Sequence, residues 1–128
     1  MRKFKFGNLR TIKNHKAYKA LFLLVMERIQ EQAYSEETNL YKDEISFSFE
    51  ELVNAGIFKD TATYEDLKPA IIALIEVALV LEDKKEDYYC YAVLFPLVSV
   101  SSEGTVSIKL EQDNRWQYII NNYKRFIK

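Results

Sequence analysis

Residues 48–71, SFEELVNAGIFKDTATYEDLKPAI, carry two helix-start signals separated by a single turn. In the first, Ser48 is followed three residues later by Glu51, the S-x-x-E box in which two side chains satisfy free backbone N–H groups of a first helical turn. Phe47 and Leu52 stand on either side at hydrophobic-staple spacing. Asn54, Ala55 and Gly56 then close the helix, with glycine at a C-cap position. In the second signal Thr63 and Asp66 form another cap pair. Leu67, Ile71, Leu74 and Ala78 follow as the apolar stripe of the second helix. Pro69 lies past the first turn counted from Thr63, so the helix is kinked there or its regular part starts later. Two short helices across a tight turn make a helix-turn-helix.

The flanking segments narrow the fold. Tyr18, Leu21, Phe22, Val25 and Ile29 recur at helical spacing and predict an amphipathic helix over residues 14–32, with Asn14 as its N-cap. YSEETNLYKD reads as a polar loop. EISFS alternates, with Ile45 and Phe47 on one face of a short strand. ALVLEDKKEDYYCYAVLF reads as strand, charged turn at residues 83–87, strand. Pro96 interrupts the second of these, which marks an edge or a bulge. LVSVSSEGTVSIKLE is a further hairpin that turns at Ser102, Glu103 and Gly104. Trp116, Ile119, Ile120, Tyr123 and Ile127 predict one amphipathic helix to the C-terminus. Three helices, a short strand after the first, and a following antiparallel hairpin are the winged-helix arrangement, an α+β fold. The hairpin directly after the third helix, with Lys84 and Lys85 at its turn, is the expected wing. The chain divides into a basic N-terminal arm, residues 1–13, and a single winged-helix domain, residues 14–128.

The 128 residues are 48% hydrophobic with only three Gly and two Pro, the composition of one folded domain. Cys90 is the single cysteine, so no disulfide framework exists. The basic start MRKFKFGNLR has no apolar signal-peptide core, and no apolar run approaches the ~20 residues that span a bilayer. A soluble, cytoplasmic protein without a membrane partner is expected. The net charge of −1 hides a segregation. Arg2, Lys3, Lys5, Arg10, Lys13, Lys16 and Lys19 are followed by an acidic middle, from Glu27 to Asp87, and then by a mildly basic end.

Catalytic patterns are missing. There is no Gly-rich phosphate loop, no HExxH and no CxxC, and no cofactor, metal or small-molecule substrate is expected. His15, the only histidine, is a surface residue without ligand partners at metal spacing. Glu50/Glu51 and Glu65/Asp66 fit the preference for acids at helix N-termini better than acid–base chemistry. An enzyme is not expected. Cys90 reads as a buried structural thiol. Tyr88, Tyr89 and Tyr91 could stack on bases, but packing is the favoured reading.

The segments YKALFLLVMERIQ, EISFSFEELVNAG, DLKPAIIALIEVALVLE, LFPLVSVSSEGTVSIKLEQD and WQYIINNYKRFIK, in that order, resemble the N-terminal winged-helix domain of the plasmid replication initiator (Rep) proteins that bind iterons. The resemblance runs from about Asn14 to the end. It implies the first of an initiator's two winged-helix domains, as a fragment of a longer initiator or as a stand-alone relative, contacting origin DNA mainly through the backbone and contributing to a homodimer. The charge pattern then suggests which residues meet DNA. Phosphate contacts position a protein without reading bases. Lys13, Lys16 and Lys19 near the first helix, Lys84 and Lys85 at the first hairpin, and Lys124 and Arg125 at the end are the candidate phosphate-binding residues. Thr61, Thr63, Tyr64 and Lys68 are the candidates on the second helix of the helix-turn-helix. That helix begins with acids, and acids are repelled by a polyanion. The expected partner is double-stranded origin DNA, with a homodimer as a further partner. The alternative is a winged-helix interaction module with no DNA binding of its own.

Overall fold

The computed structural model describes residues 2–35, 40–41 and 44–127. The chain opens with a strand, β1 (Arg2–Gly7), followed by a short helix α1 (Arg10–Asn14) and the longer α2 (Lys16–Arg28). A turn of π-helix, Ile29–Ala33, extends α2. The small ladder β2 (Tyr34–Ser35) with β3 (Leu40–Tyr41) follows; the rest of the expected polar loop lies outside the described residues. Next come β4 (Glu44–Ser48), α3 (Phe49–Asn54) and α4 (Tyr64–Ile75). Two hairpins succeed them, β5 (Ala78–Asp83) with β6 (Tyr88–Val93), and β7 (Leu97–Val100) with β8 (Thr105–Lys109). The C-terminal segment is a 3-10 turn, Asn114–Trp116, then α5 (Gln117–Asn121) and α6 (Tyr123–Phe126).

The strands form two larger sheets, ordered β1-β5-β6 and β4-β8-β7, all antiparallel. The second is the winged-helix sheet, because β4 enters the helix-turn-helix and pairs with β8. The wing is therefore the β7–β8 hairpin. This corrects the expectation that Lys84 and Lys85 sit on the wing. Their hairpin belongs to the first sheet, where β5 pairs with β1 from Arg2 opposite Asp83 to Gly7 opposite Ala78. Arg2–Gly7 are accordingly a paired strand, where an N-terminal arm was expected over residues 1–13. Phe4 and Phe6 project to the inner face, which explains why a basic segment joins a sheet. Phe6 is buried, with its ring 5.7 Å from Phe22 and 6.5 Å from Phe126. Phe4 lies 6.4 Å from Trp116 and 5.6 Å from Tyr118. Lys3 and Lys5 alternate outward, so the charge stays in water.

The helix expected over residues 14–32 is divided. Asn14 ends α1 instead of capping α2, and the capping position belongs to His15, in an extended conformation. His15 is exposed, its ring stacked 4.3 Å from Tyr18. Leu21, Phe22, Val25, Met26 and Ile29 are buried in one core with Phe47, Leu52, Leu67, Leu74, Trp116 and Ile120. The C-terminal helix is also broken, at Asn122, whose φ of −118° and ψ of 30° are not helical.

Candidate nucleic-acid interface

The helix-turn-helix is held at each of its joints. The Glu51 N–H donates to Ser48 Oγ at 3.1 Å and starts α3. Arg28, from the end of α2, donates to Glu51 Oε2 at 2.9 Å and to the Ser46 carbonyl at 3.2 Å, and its guanidinium lies 4.3 Å from the centre of the Phe47 ring. This one side chain ties α2, β4 and α3 together. At the end of α3, Gly56 takes φ +76°, its N–H donates to Val53 O, and Ile57 N–H donates to Leu52 O. That is the Schellman arrangement, which needs the left-handed conformation glycine adopts without steric cost. The Thr63 N–H donates to Asp66 Oδ2 at 2.7 Å, with the Thr63 hydroxyl at 3.2 Å, so α4 starts where its cap pair lies. α4 continues through Pro69 to Ile75. The wing turn is tied in by the Phe49 N–H, which donates to Gly104 O at 2.9 Å.

The sequence-derived candidates all lie on the surface, but they do not form one patch. Lys13 lies in the last turn of α1, and Lys16 and Lys19 lie on the first turns of α2, one turn apart and on one face. Lys84 and Lys85 occupy the β5–β6 turn. Strand β1 brings Arg2 and Lys3 beside Lys84, around a cleft of about 510 Å³ that also holds Glu82. Arg2 and Lys3 were not among the candidates. The alternation of Lys3, Lys5 and Phe4, Phe6 is the signal that could have placed them on a strand. Two cations here are partly neutralised, since Lys5 pairs with Glu82 at 3.2 Å and Arg2 approaches Asp83 at 3.8 Å. Lys124 and Arg125 lie against the acidic end of α2, around a cleft shared with Glu27 and Glu31. Arg125 also donates to the Tyr118 hydroxyl at 3.1 Å.

Thr61 precedes α4, Thr63 caps it, Tyr64 opens it, and Lys68 is its only cation. Asp66 is engaged in the cap, whereas Glu65 is exposed. On the wing turn Glu103 is the only charge. The exposed charges on α4 and the wing turn are therefore Glu65, Asp66 and Glu103 against Lys68, an excess of acids.

Two expectations about β6 change. Cys90 is half-buried instead of buried, and Arg115 Nη1 donates to its Sγ at 3.0 Å and to the Tyr88 hydroxyl at 2.9 Å. That cation is remote in sequence and was not anticipated. The Asp113 carboxylate, hydrogen-bonded by the Arg115 backbone and guanidinium, is held below its ordinary pKa. The tyrosines do not pack into the core: Tyr89 is 47% and Tyr91 66% exposed, and Tyr88 is exposed as well.

Among the described residues no cluster of His, Cys, Asp and Glu is placed to hold a metal, and no helix is long and apolar enough to cross a membrane. The fold and its joints define a winged-helix domain with an added N-terminal strand. Residues 8–128 match the family model described as "Initiator Replication protein, WH1", and the chain belongs to that family of replication initiators. Among solved structures it is similar to the crystal structure of the MSBI1.176 WH1 domain, a replication protein isolated from a multiple sclerosis patient. The likeness has a TM-score of 0.52 at 12% identity and covers 88% of this chain and 83% of that one. No curated protein matches the sequence.

Proposed function

We propose that this domain positions a replication initiator on double-stranded origin DNA by contacts to phosphates instead of bases. The observation that supports it is the segregation of charge in the fold. Exposed cations are grouped on α1 and α2 (Lys13, Lys16, Lys19) and at the β5–β6 turn (Lys84, Lys85, with Arg2 and Lys3 beside them), while α4 carries Glu65, Asp66 and one lysine. Phosphate contacts fix register and orientation, and each contributes to the salt dependence of binding. Lys124 and Arg125 contribute less, because Glu27 and Glu31 share their cleft.

Binding to a duplex carrying the plasmid's own origin repeats, followed by fluorescence anisotropy across a salt series, tests this reading. Changing both Lys84→Glu and Lys85→Glu weakens binding about equally for all sequences and lowers the log–log salt slope by about 1.8. Changing Thr61, Thr63 and Tyr64 to Ala does less. Loss of binding in the helix variant with an unaffected lysine variant overturns the placement.

A second reading, homodimerisation, is favoured by β6. It is the outer strand of its sheet, paired on one side only among the described residues, and its outward row is Tyr89, Tyr91 and Val93. An exposed edge strand is a template for pairing with another strand, and two-fold symmetry, which brings the same edge of two copies together, is the commonest among oligomers.

A further inference from the structure

The face of α4 that a winged helix presents to DNA carries more apolar than basic side chains here. Tyr64, Lys68, Ile72 and Ile75 follow one another along the helix at spacings of four, four and three. They form one ridge about a third of a turn away from Leu67, Ala70 and Leu74, which are buried. Tyr64 is 55% exposed and Ile72 48%. At the N-terminal end of the ridge lies an open groove of about 590 Å³, between α4 and the wing turn. Its apolar walls are Phe49, Ala62, Leu67 and Val100, and no cation lines it. The charges next to it are Glu103 in the wing turn, Glu65 beside Tyr64, Glu50 beside Phe49 and, one turn along the ridge, Lys68, all exposed, so acids predominate.

We propose that this ridge and groove dock a cationic, apolar segment of a partner protein. Exposed isoleucines along a helix gain free energy by leaving water, and contiguous apolar patches mark interaction sites. A polyanion gains only the single charge of Lys68 from such a ridge and is repelled by the three glutamates. A segment with a large apolar side chain for the groove, and lysine or arginine facing Glu65 and Glu103, satisfies both features. The inference goes beyond the DNA reading. Apart from Lys68 its residues and the proposed phosphate-binding lysines lie on different elements, so either can fail alone.

The test uses the whole chain, nitrogen-15 labelled, titrated with the cationic amphipathic peptide acetyl-KLFKKLFK-amide and with its acidic counterpart acetyl-ELFEELFE-amide. The cationic peptide is expected to shift the backbone amides of Ala62, Tyr64, Ile72 and Gly104 as one cluster, and the acidic peptide to leave them unchanged. Ile72→Glu, and separately Glu65→Lys with Glu103→Lys, are expected to weaken the cationic peptide about tenfold. All three sites are exposed, and a spectrum otherwise like that of the parent shows that each variant is folded. The proposal is overturned if the shifts scatter over the surface, if both peptides act alike, or if no shift appears. It is also overturned if origin duplex moves the same four amides, or if they shift with protein concentration alone, which would assign the face to DNA or to a second copy. Origin binding measured on the same variants separates this outcome from failure of the DNA reading.

Discussion

At the scale of single residues, Asp66 shows how a carboxylate on a presumed DNA-facing helix becomes structural. Its oxygen takes the Thr63 N–H and hydroxyl, so it serves the helix start. Asp66→Ala leaves that N–H without its partner and is expected to cost about 1 kcal/mol. That corresponds to roughly 3–5 °C in the midpoint of thermal unfolding for a domain of this size, measurable by circular dichroism. An unchanged midpoint would show that the cap contributes nothing. Tyr123 gives a pH-dependent counterpart. Burial, and then the negative charge of Glu27 and Glu31, push its phenol above the ordinary tyrosine pKa. A raised pKa means that the folded state holds the proton more tightly than the unfolded state does. The resulting stability is fully present below the unfolded pKa near 10 and is lost as pH rises through the folded value. Urea titrations at pH 7 and above pH 10 should therefore show the gap between the parent and Tyr123→Phe moving in favour of the variant at the higher pH. A constant gap would contradict the assignment.

At the scale of elements, the parts with local signatures were legible in the sequence. Two cap pairs, a Gly at C′ and an alternating EISFS place α3, α4 and β4, because caps and turns act over three or four residues. What the sequence did not yield was partnership between distant strands. β1 looked like an arm because seven cations crowd the first twenty residues, and charge outweighed the two-residue alternation of Phe4 and Phe6. The wing was misplaced for the same reason. Two hairpins follow α4, and only the ladder between β4 and β8 distinguishes them. Likewise, the partner of Cys90, Arg115, is contributed by a turn beyond both hairpins. Strand β1 can be tested directly. Phe6 is nearly inaccessible between Phe22 and Phe126, so Phe6→Ala should cost about 3–5 kcal/mol. Removing residues 1–7 should destabilise the domain comparably in urea unfolding, whereas a true arm could be removed without effect.

At the scale of the whole molecule, the two sheets divide the work that the fold offers. The β4-β8-β7 sheet supports the helix-turn-helix, while the β1-β5-β6 sheet carries the basic strand on one side and the tyrosine edge on the other. If two copies pair through β6, each brings its own set of cations, and one duplex then meets two sets. Binding of the second set becomes intramolecular, so affinity rises without any new kind of contact. The salt dependence carries the signature, since each neutralised phosphate adds about 0.9 to the log–log slope. Tyr91 is the most exposed large apolar residue of the edge and lies near the middle of β6, where Tyr91→Asp would place like charges close together across a two-fold axis. The variant is expected to sediment as a monomer at concentrations where the parent sediments as a dimer, and to bind origin duplex with about half the parent's salt slope. A monomeric parent would remove the dimer from the account and leave phosphate positioning intact. A dimeric parent whose slope is unchanged by Tyr91→Asp would mean that only one copy of each pair touches the DNA, so the β6 edge would then serve assembly alone.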